Sequence, residues 1–272
     1  MQMNNVIAVW GNPNSGKTTI SIKLAGELAK RKRNVIVIGC DVGTPVISTI
    51  LPFKETKDQS FGKLLSAVQV TQESILKKLI PFADNKYLSI LSYQHGENER
   101  TYAKYSKERV IDLFILLKHL ADHIIIDCSS QFTNDIFSNA ALELSDRVIR
   151  VISPDLKAMS YYDSVLTLMS ERKYNVEKHY KILSNVKPEM PKDIIANKFG
   201  GIDSELPYAK ELELQWLEAR LFEDLVDKKS KSYSSEIKHI VDLVIADNKE
   251  KPNKVKQEKQ SMKGLFKKRG EE

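Results

Sequence analysis

The sequence predicts an α/β fold: a mostly parallel central sheet with helices on both faces, followed by a flexible basic C-terminal tail. Three observations carry this. Short β-branched runs lack polar alternation, as strands covered on both faces do. Segments with apolar residues at helical spacing separate them. The first strand–helix junction reads Gly11-Asn12-Pro13-Asn14-Ser15-Gly16-Lys17-Thr18, which matches G-x-x-x-x-G-K-[ST] over its full length.

Taken in order, Val6-Ile7-Ala8-Val9-Trp10 is a strand and residues 17–30 a helix, with Ile20, Leu24, Ala25 and Leu28 on one stripe. Residues 35–38 form a second strand, and 87–91 a weaker one. A helix is expected over 110–120, then a buried strand, Ile124-Ile125-Ile126, ending at Asp127. Helix 136–144, strand 148–152, helix 158–169 and strand 180–183 follow. Pro207 closes a further strand or turn, and helices over 211–221 and 236–246 complete the set. Residues 52–86 are mixed and fit neither period. No internal repeat is present. This assigns one domain to residues 1–247 and a linker with a terminal peptide to 248–272.

The 272 residues suffice for one large α/β domain, and the 42% hydrophobic and 29% charged fractions are those of a globular protein with a sizeable core. No apolar run approaches the roughly 18 residues that cross a bilayer. The start has no basic, apolar and small-residue signal pattern. Cys40 and Cys128 are too few for a disulfide framework, so a cytoplasmic location is expected. The net charge of +6 favours anionic partners. It is concentrated in the tail, where Lys249, Lys251, Lys254, Lys256, Lys259, Lys263, Lys267, Lys268 and Arg269 face only Glu250 and Glu258 up to that point.

The spacing of the 11–18 motif has a chemical reason. Glycines let the backbone curl so that successive N–H groups meet phosphate oxygens. The following helix adds the positive end of its dipole. Lys17 reaches the β- and γ-phosphates, and the Thr18 hydroxyl completes a Mg²⁺ shell. Asp41 and Asp127 each follow a strand and fall at the carboxyl edge of a parallel sheet, beside the loop. Asp127 is read as a Mg²⁺ carboxylate, the alternative being a turn residue. Cys40 and Cys128 each neighbour one of these acids. They read as small buried residues or, alternatively, as redox sensors.

The order of these motifs, with Thr18-Thr19, Asp41 after the second strand and Ile124-Ile125-Ile126-Asp127, resembles the MinD/ParA ATPases over roughly residues 6–221. The stretches Ala140-Ala141-Leu142-Glu143-Leu144-Ser145-Asp146-Arg147-Val148 and Ser153-Pro154-Asp155-Leu156 are similar to that family's too. Within it the chain is most similar to the pilus-localising and secretion-associated TadZ/CpaE-like branch. The resemblance implies ATP hydrolysis with Mg²⁺, with Asp41 orienting the attacking water and Asp127 supporting the metal. It implies that Gly11, Asn12, Pro13, Asn14, Ser15, Gly16, Lys17, Thr18 and Thr19 bind phosphate. Asn185 matches the family's adenine-contacting asparagine, with a strand-end turn as the alternative. Glu205-Leu206-Pro207-Tyr208 resembles the second loop near the base. The GTPase base-reading motif is absent, since the chain reads Asn185-Val186-Lys187-Pro188; ATP is therefore preferred. Two positions depart from the family: Asn12 stands where it carries an extra lysine that reaches across an ATP-dependent homodimer, and Cys128-Ser129-Ser130 where prolines and a glycine are common.

In the tail, Met262, Leu265 and Phe266 recur at i, i+3, i+4 among Lys263, Lys267, Lys268 and Arg269. That pattern suits a short amphipathic helix over residues 260–269 on an anionic membrane, and it resembles the targeting peptide of MinD-like proteins. A solvated basic tail and a DNA contact are the alternatives. Three functions compete: a switch that positions a membrane machine such as a pilus or secretion apparatus; a DNA-partitioning ATPase with non-specific DNA binding; and a nucleotide-binding scaffold of low turnover.

Overall fold

Val6, Ala8 and Trp10 enter one apolar cluster while Ile7 and Val9 enter another, so the first strand is buried on both sides. That is why it shows no polar alternation. A computed structural model describes residues 5–51, 58–82 and 84–246. The elements run β1 (Asn5–Gly11), α1 (Lys17–Lys30), β2 (Val35–Gly39), α2 (Val46–Thr49), α3 (Phe61–Leu65), α4 (Gln72–Lys78), β3 (Ile80–Pro81), β4 (Leu88–Ser92), α5 (Lys107–Lys118), β5 (His123–Asp127), α6 (Ile136–Leu144) and β6 (Arg147–Ile152). Then come α7 (Leu156–Val165), β7 (His179–Val186), α8 (Lys192–Lys198), β8 (Ser204–Pro207), α9 (Lys210–Leu217) and α10 (Lys231–Ala246).

The sheet has eight strands in the order β3-β4-β2-β5-β1-β6-β7-β8. Only the short β3 is antiparallel; every other neighbouring pair is parallel. One face is covered by α5, α6 and α7 through Leu113, Phe114, Phe137 and Tyr162. The other is covered by α1 and α10 through Leu24, Leu28, Ile237 and Val241. The chain first builds outward from β1 through β2 and β4. After β5 it crosses to β6 on the far side of β1. Ligand crevices of open α/β sheets lie beyond the carboxyl ends of strands at such a reversal.

The expected elements are present, with shifted ends. α5 begins three residues early because the Ser106 side chain accepts from Arg109 N and caps it. The expected 158–169 helix is instead α7, capped by Asp155, followed by a separate 3₁₀ turn at Leu168–Ser170. α9 stops at Leu217, ahead of Ala219 in the left-handed region at φ 55°. α10 starts at Lys231, five residues before the expected position. The mixed segment 52–86 contributes α3, α4 and β3. Among the described residues no helix is long and apolar enough to cross a membrane. The tail, 248–272, and with it the amphipathic stripe, lies outside the described residues.

Candidate phosphate-binding site

β1 ends at Gly11, where any side chain is forbidden: a Cβ there would sit 2.0 Å from the Val151 carbonyl oxygen of β6. The loop then turns through two left-handed residues, Asn14 (φ 60°) and Gly16 (φ 89°), and closes with Ser15 N donating to Asn12 O at 3.2 Å. Gly16 is the N-cap of α1 and supplies no side-chain acceptor. By contrast, Ser106, Asp135 and Asp155 cap α5, α6 and α7 with side-chain oxygens. The first N–H groups of α1 therefore remain available to an anion. Ser15 Oγ is buried without a partner in the same loop.

Four side chains, Lys17, Thr18, Ser21 and Asp127, converge at this helix end. Thr18 Oγ1 donates to Asp127 Oδ2 at 2.6 Å, and Ser21 Oγ donates to Oδ1 at 3.3 Å. Burial pushes the Asp127 carboxyl up to about 6, although both hydroxyls and the Lys17 charge pull it back. Lys17 Nζ folds over the loop, donating to Ser130 Oγ at 2.6 Å and Asn12 O at 3.2 Å. Burial lowers its proton affinity; the charges of Asp127 and Asp41 oppose that. A desolvated ammonium held by neutral oxygens is suited to exchange them for phosphate. The Thr18 hydroxyl and Asp127 carboxylate form a pair of hard oxygen donors that fits Mg²⁺. The Thr19 side chain, on the first turn of α1, makes no hydrogen bond among the described residues.

Asp41 stands at the mouth of the same site but is turned into its own loop. It accepts from Gly43 N and Thr44 N at 3.1 Å and from Thr44 Oγ1 at 3.0 Å. Asn185 is exposed at the carboxyl end of β7, in the left-handed region at φ 59° where the β7–β8 register shifts. The neighbouring Ser184 hydroxyl approaches Gly16, lying 3.2 Å from where its Cβ would be. Val186 pairs with Pro207, and Tyr208 N donates to Val186 O, so the 205–208 segment meets Asn185 at this edge. Cys40 and Cys128 are both fully buried, and burial pushes both thiols well above the ordinary range. That suits small core residues and not reactive thiolates.

The family model described as an AAA domain matches residues 5–182. Over 191 residues the sequence is 30% identical to the septum site-determining protein MinD of Thermotoga maritima, covering 70% of this chain and 67% of that one. The chain belongs to the MinD/ParA family of P-loop ATPases. Its fold is similar to a ParA family ATPase from Chlorobium tepidum, with TM-score 0.71 at 17% identity over 90% of this chain and 99% of that one. It is also similar to MinD of Pyrococcus horikoshii complexed with Mg-ADP, with TM-score 0.67 at 16% identity over 89% and 96%.

Asn12, which stands where the family resemblance leads one to expect a lysine, is held by Ser153. Its side chain is 1% exposed and tied inward. Nδ2 donates to Ser153 Oγ at 2.8 Å, and Oδ1 accepts from Ser153 N at 3.1 Å. Ser153 Oγ in turn donates to Asp155, the cap of α7. Sequence reasoning missed Ser21, Ser130 and Ser153 as parts of the site. It noted Ser130 only as a departure and Ser153 only within a similar stretch, because their partners lie 106, 113 and 141 residues away.

Proposed function

We propose that this chain is an ATP-dependent switch that positions or regulates a membrane-associated machine, such as a pilus or secretion apparatus of the TadZ/CpaE-like kind. The observation that carries the nucleotide part is the convergence of Lys17, Thr18 and Asp127 at the uncapped start of α1. The loop from Gly11 to Thr19 binds the phosphates through backbone N–H groups, and Lys17 leaves Ser130 to meet the β- and γ-oxygens. Thr18 and Asp127 hold Mg²⁺, which when bound supplies positive charge to the phosphates. Asp41 turns from Thr44 to orient the attacking water, and Asn185 contacts adenine. The Mg-ADP in the Pyrococcus relative supports this choice of ligand.

The switching part rests on the tail and on the MinD relatives. One copy of the 260–269 peptide has three apolar anchors, and partial insertion of each at the membrane surface gives weak binding. An ATP-dependent homodimer presents two copies, and the second binds at high effective concentration. Asn12 is engaged within its own subunit, and a dimer of this chain has no crossing lysine at that position.

Co-sedimentation with anionic liposomes tests the reading. The full chain with Mg·ATP sediments, and a charge-neutral Leu265→Ser, Phe266→Ser pair stays in solution. Sedimentation of the serine pair as well as the wild type contradicts the anchor. The net charge of +6 favours one second reading, non-specific DNA binding in a partition system. That reading takes first place if the wild type ignores liposomes and retards DNA in a salt-dependent way.

A further inference from the structure

A cavity of about 330 Å³ lies on the α7 side of the sheet and is lined by Arg150, Leu166, Met169, Ser170, Val176, His179 and Lys181. Arg150 comes from β6 and is 7% exposed. Its guanidinium lies over the Trp10 ring, 5.8 Å from the centroid, and Nη2 meets His179 Nδ1 at 2.9 Å. Its Nε has no hydrogen-bond partner. Among the described residues no Asp or Glu forms an ion pair or hydrogen bond with it.

The arrangement is electrostatically incomplete. An arginine does not shed its proton, so its accepting partner His179 Nδ1 must be the unprotonated nitrogen. The other ring nitrogen, Nε2, then donates to Tyr174 O at 3.3 Å. Burial and the Arg150 charge together push His179 down to about 3, so it adds no charge of its own. Lys181, paired with Arg150 across β6 and β7, brings a second cation, held by the Phe199 and Gly200 carbonyls. A buried guanidinium is ordinarily paired with a carboxylate, because leaving it desolvated and unneutralised is costly. Among the described residues no side chain supplies that anion. The remaining walls are the apolar Leu166, Met169 and Val176, with Ser170 as one polar neighbour.

We infer that this cavity binds a small organic carboxylate, its anionic end on Arg150 and its apolar body along Leu166, Met169 and Val176. The planar guanidinium fork matches a carboxylate, and the apolar walls favour a carbon chain over a fully hydrated inorganic anion. The site lies apart from the phosphate loop and does not depend on the nucleotide reading. Trp10 precedes Gly11 in β1, so the loop's first residue adjoins the ring that carries Arg150.

Trp10 is also the reporter. The chain has two tryptophans, and Trp216, on α9, is not among the residues that line the cavity. In a Trp216→Phe background, hexanoate titrated to about 50 mM produces a saturable change in Trp10 emission, a range suited to a ligand of this size. Arg150→Met keeps the length of the side chain and weakens binding about tenfold or more. Val176 is 50% exposed, so Val176→Glu leaves folding intact; its rim carboxylate repels hexanoate and weakens binding as well. Hexanol, with the same body and no charge, gives no such response. The inference is overturned by an absent response in the parent protein, by equal binding of hexanol, or by undiminished affinity in both variants. It is overturned too if inorganic phosphate gives the Arg150-dependent response more tightly than hexanoate.

Discussion

Thr18 Oγ1 donates a 2.6 Å hydrogen bond to Asp127 Oδ2, joining the first turn of α1 to the end of β5 across 109 residues of sequence. This bond places the hydroxyl and the carboxylate as a ready pair of oxygen donors. It also holds a carboxylate where burial disfavours its charge.

Nucleotide-free protein therefore has a definite pH dependence. The Asp127 carboxyl titrates at about 6 in the folded chain, against an ordinary 3.8. Between those values the folded chain keeps a proton that the unfolded chain has released. Stability from this group is thus greatest below about pH 4, falls as pH rises to about 6, and stays reduced above it, by at most about 3 kcal/mol. Asp127→Asn removes the titration. Urea unfolding at pH 4.5 and 7 should show a smaller loss in the variant, and a variant about 1–2 kcal/mol more stable at pH 7. An unchanged loss between the two pH values would assign it to other groups.

Asn12 is expected to matter for stability. Asn12→Ala removes the acceptor of the buried Ser153 N–H and the donor to its hydroxyl. Leaving such groups unpaired costs about 1–3 kcal/mol. Asn12→Lys should cost no less, because its ammonium cannot replace that acceptor. Denaturant midpoints of both variants check this; wild-type stability in either would show that the Asn12–Ser153 link is dispensable.

Under its proposed role, Asp41 touches water and not phosphate. Asp41→Ala should spare ATP binding and lower turnover by about 10²–10⁴. Phosphate release measured beside binding affinity separates the two effects, and equal turnover in both proteins removes Asp41 from the chemistry.

What was legible in the sequence was what short segments encode. The motif from Gly11 to Thr18 is contiguous, and Asp41 and Asp127 each follow an apolar run, so all three fall at one sheet edge by topology alone. The close approach of Gly11 to Val151 needs β6, 140 residues on, and no local pattern announces it. The Lys17–Ser130 and Asn12–Ser153 bonds are hidden for the same reason. Arg150 interrupts an apolar strand, Arg147-Val148-Ile149-Arg150-Val151-Ile152, and only packing shows that its charge turns inward. Helix ends moved where a single side chain, such as Ser106, set the cap.

The central claim is that the loop at the start of α1 binds Mg·ATP through Lys17. Calorimetric titration of Mg·ATP into wild-type and Lys17→Ala protein tests it most directly. Losing charge-assisted bonds to phosphate, worth about 1.5–3 kcal/mol each, should weaken binding by roughly 10²-fold or more. The variant should stay folded, since Lys17 carries a desolvated charge and is not part of the apolar core. ATP affinity in folded Lys17→Ala equal to that of the wild type would contradict the account, and GTP binding tighter than ATP would overturn the reading of Asn185.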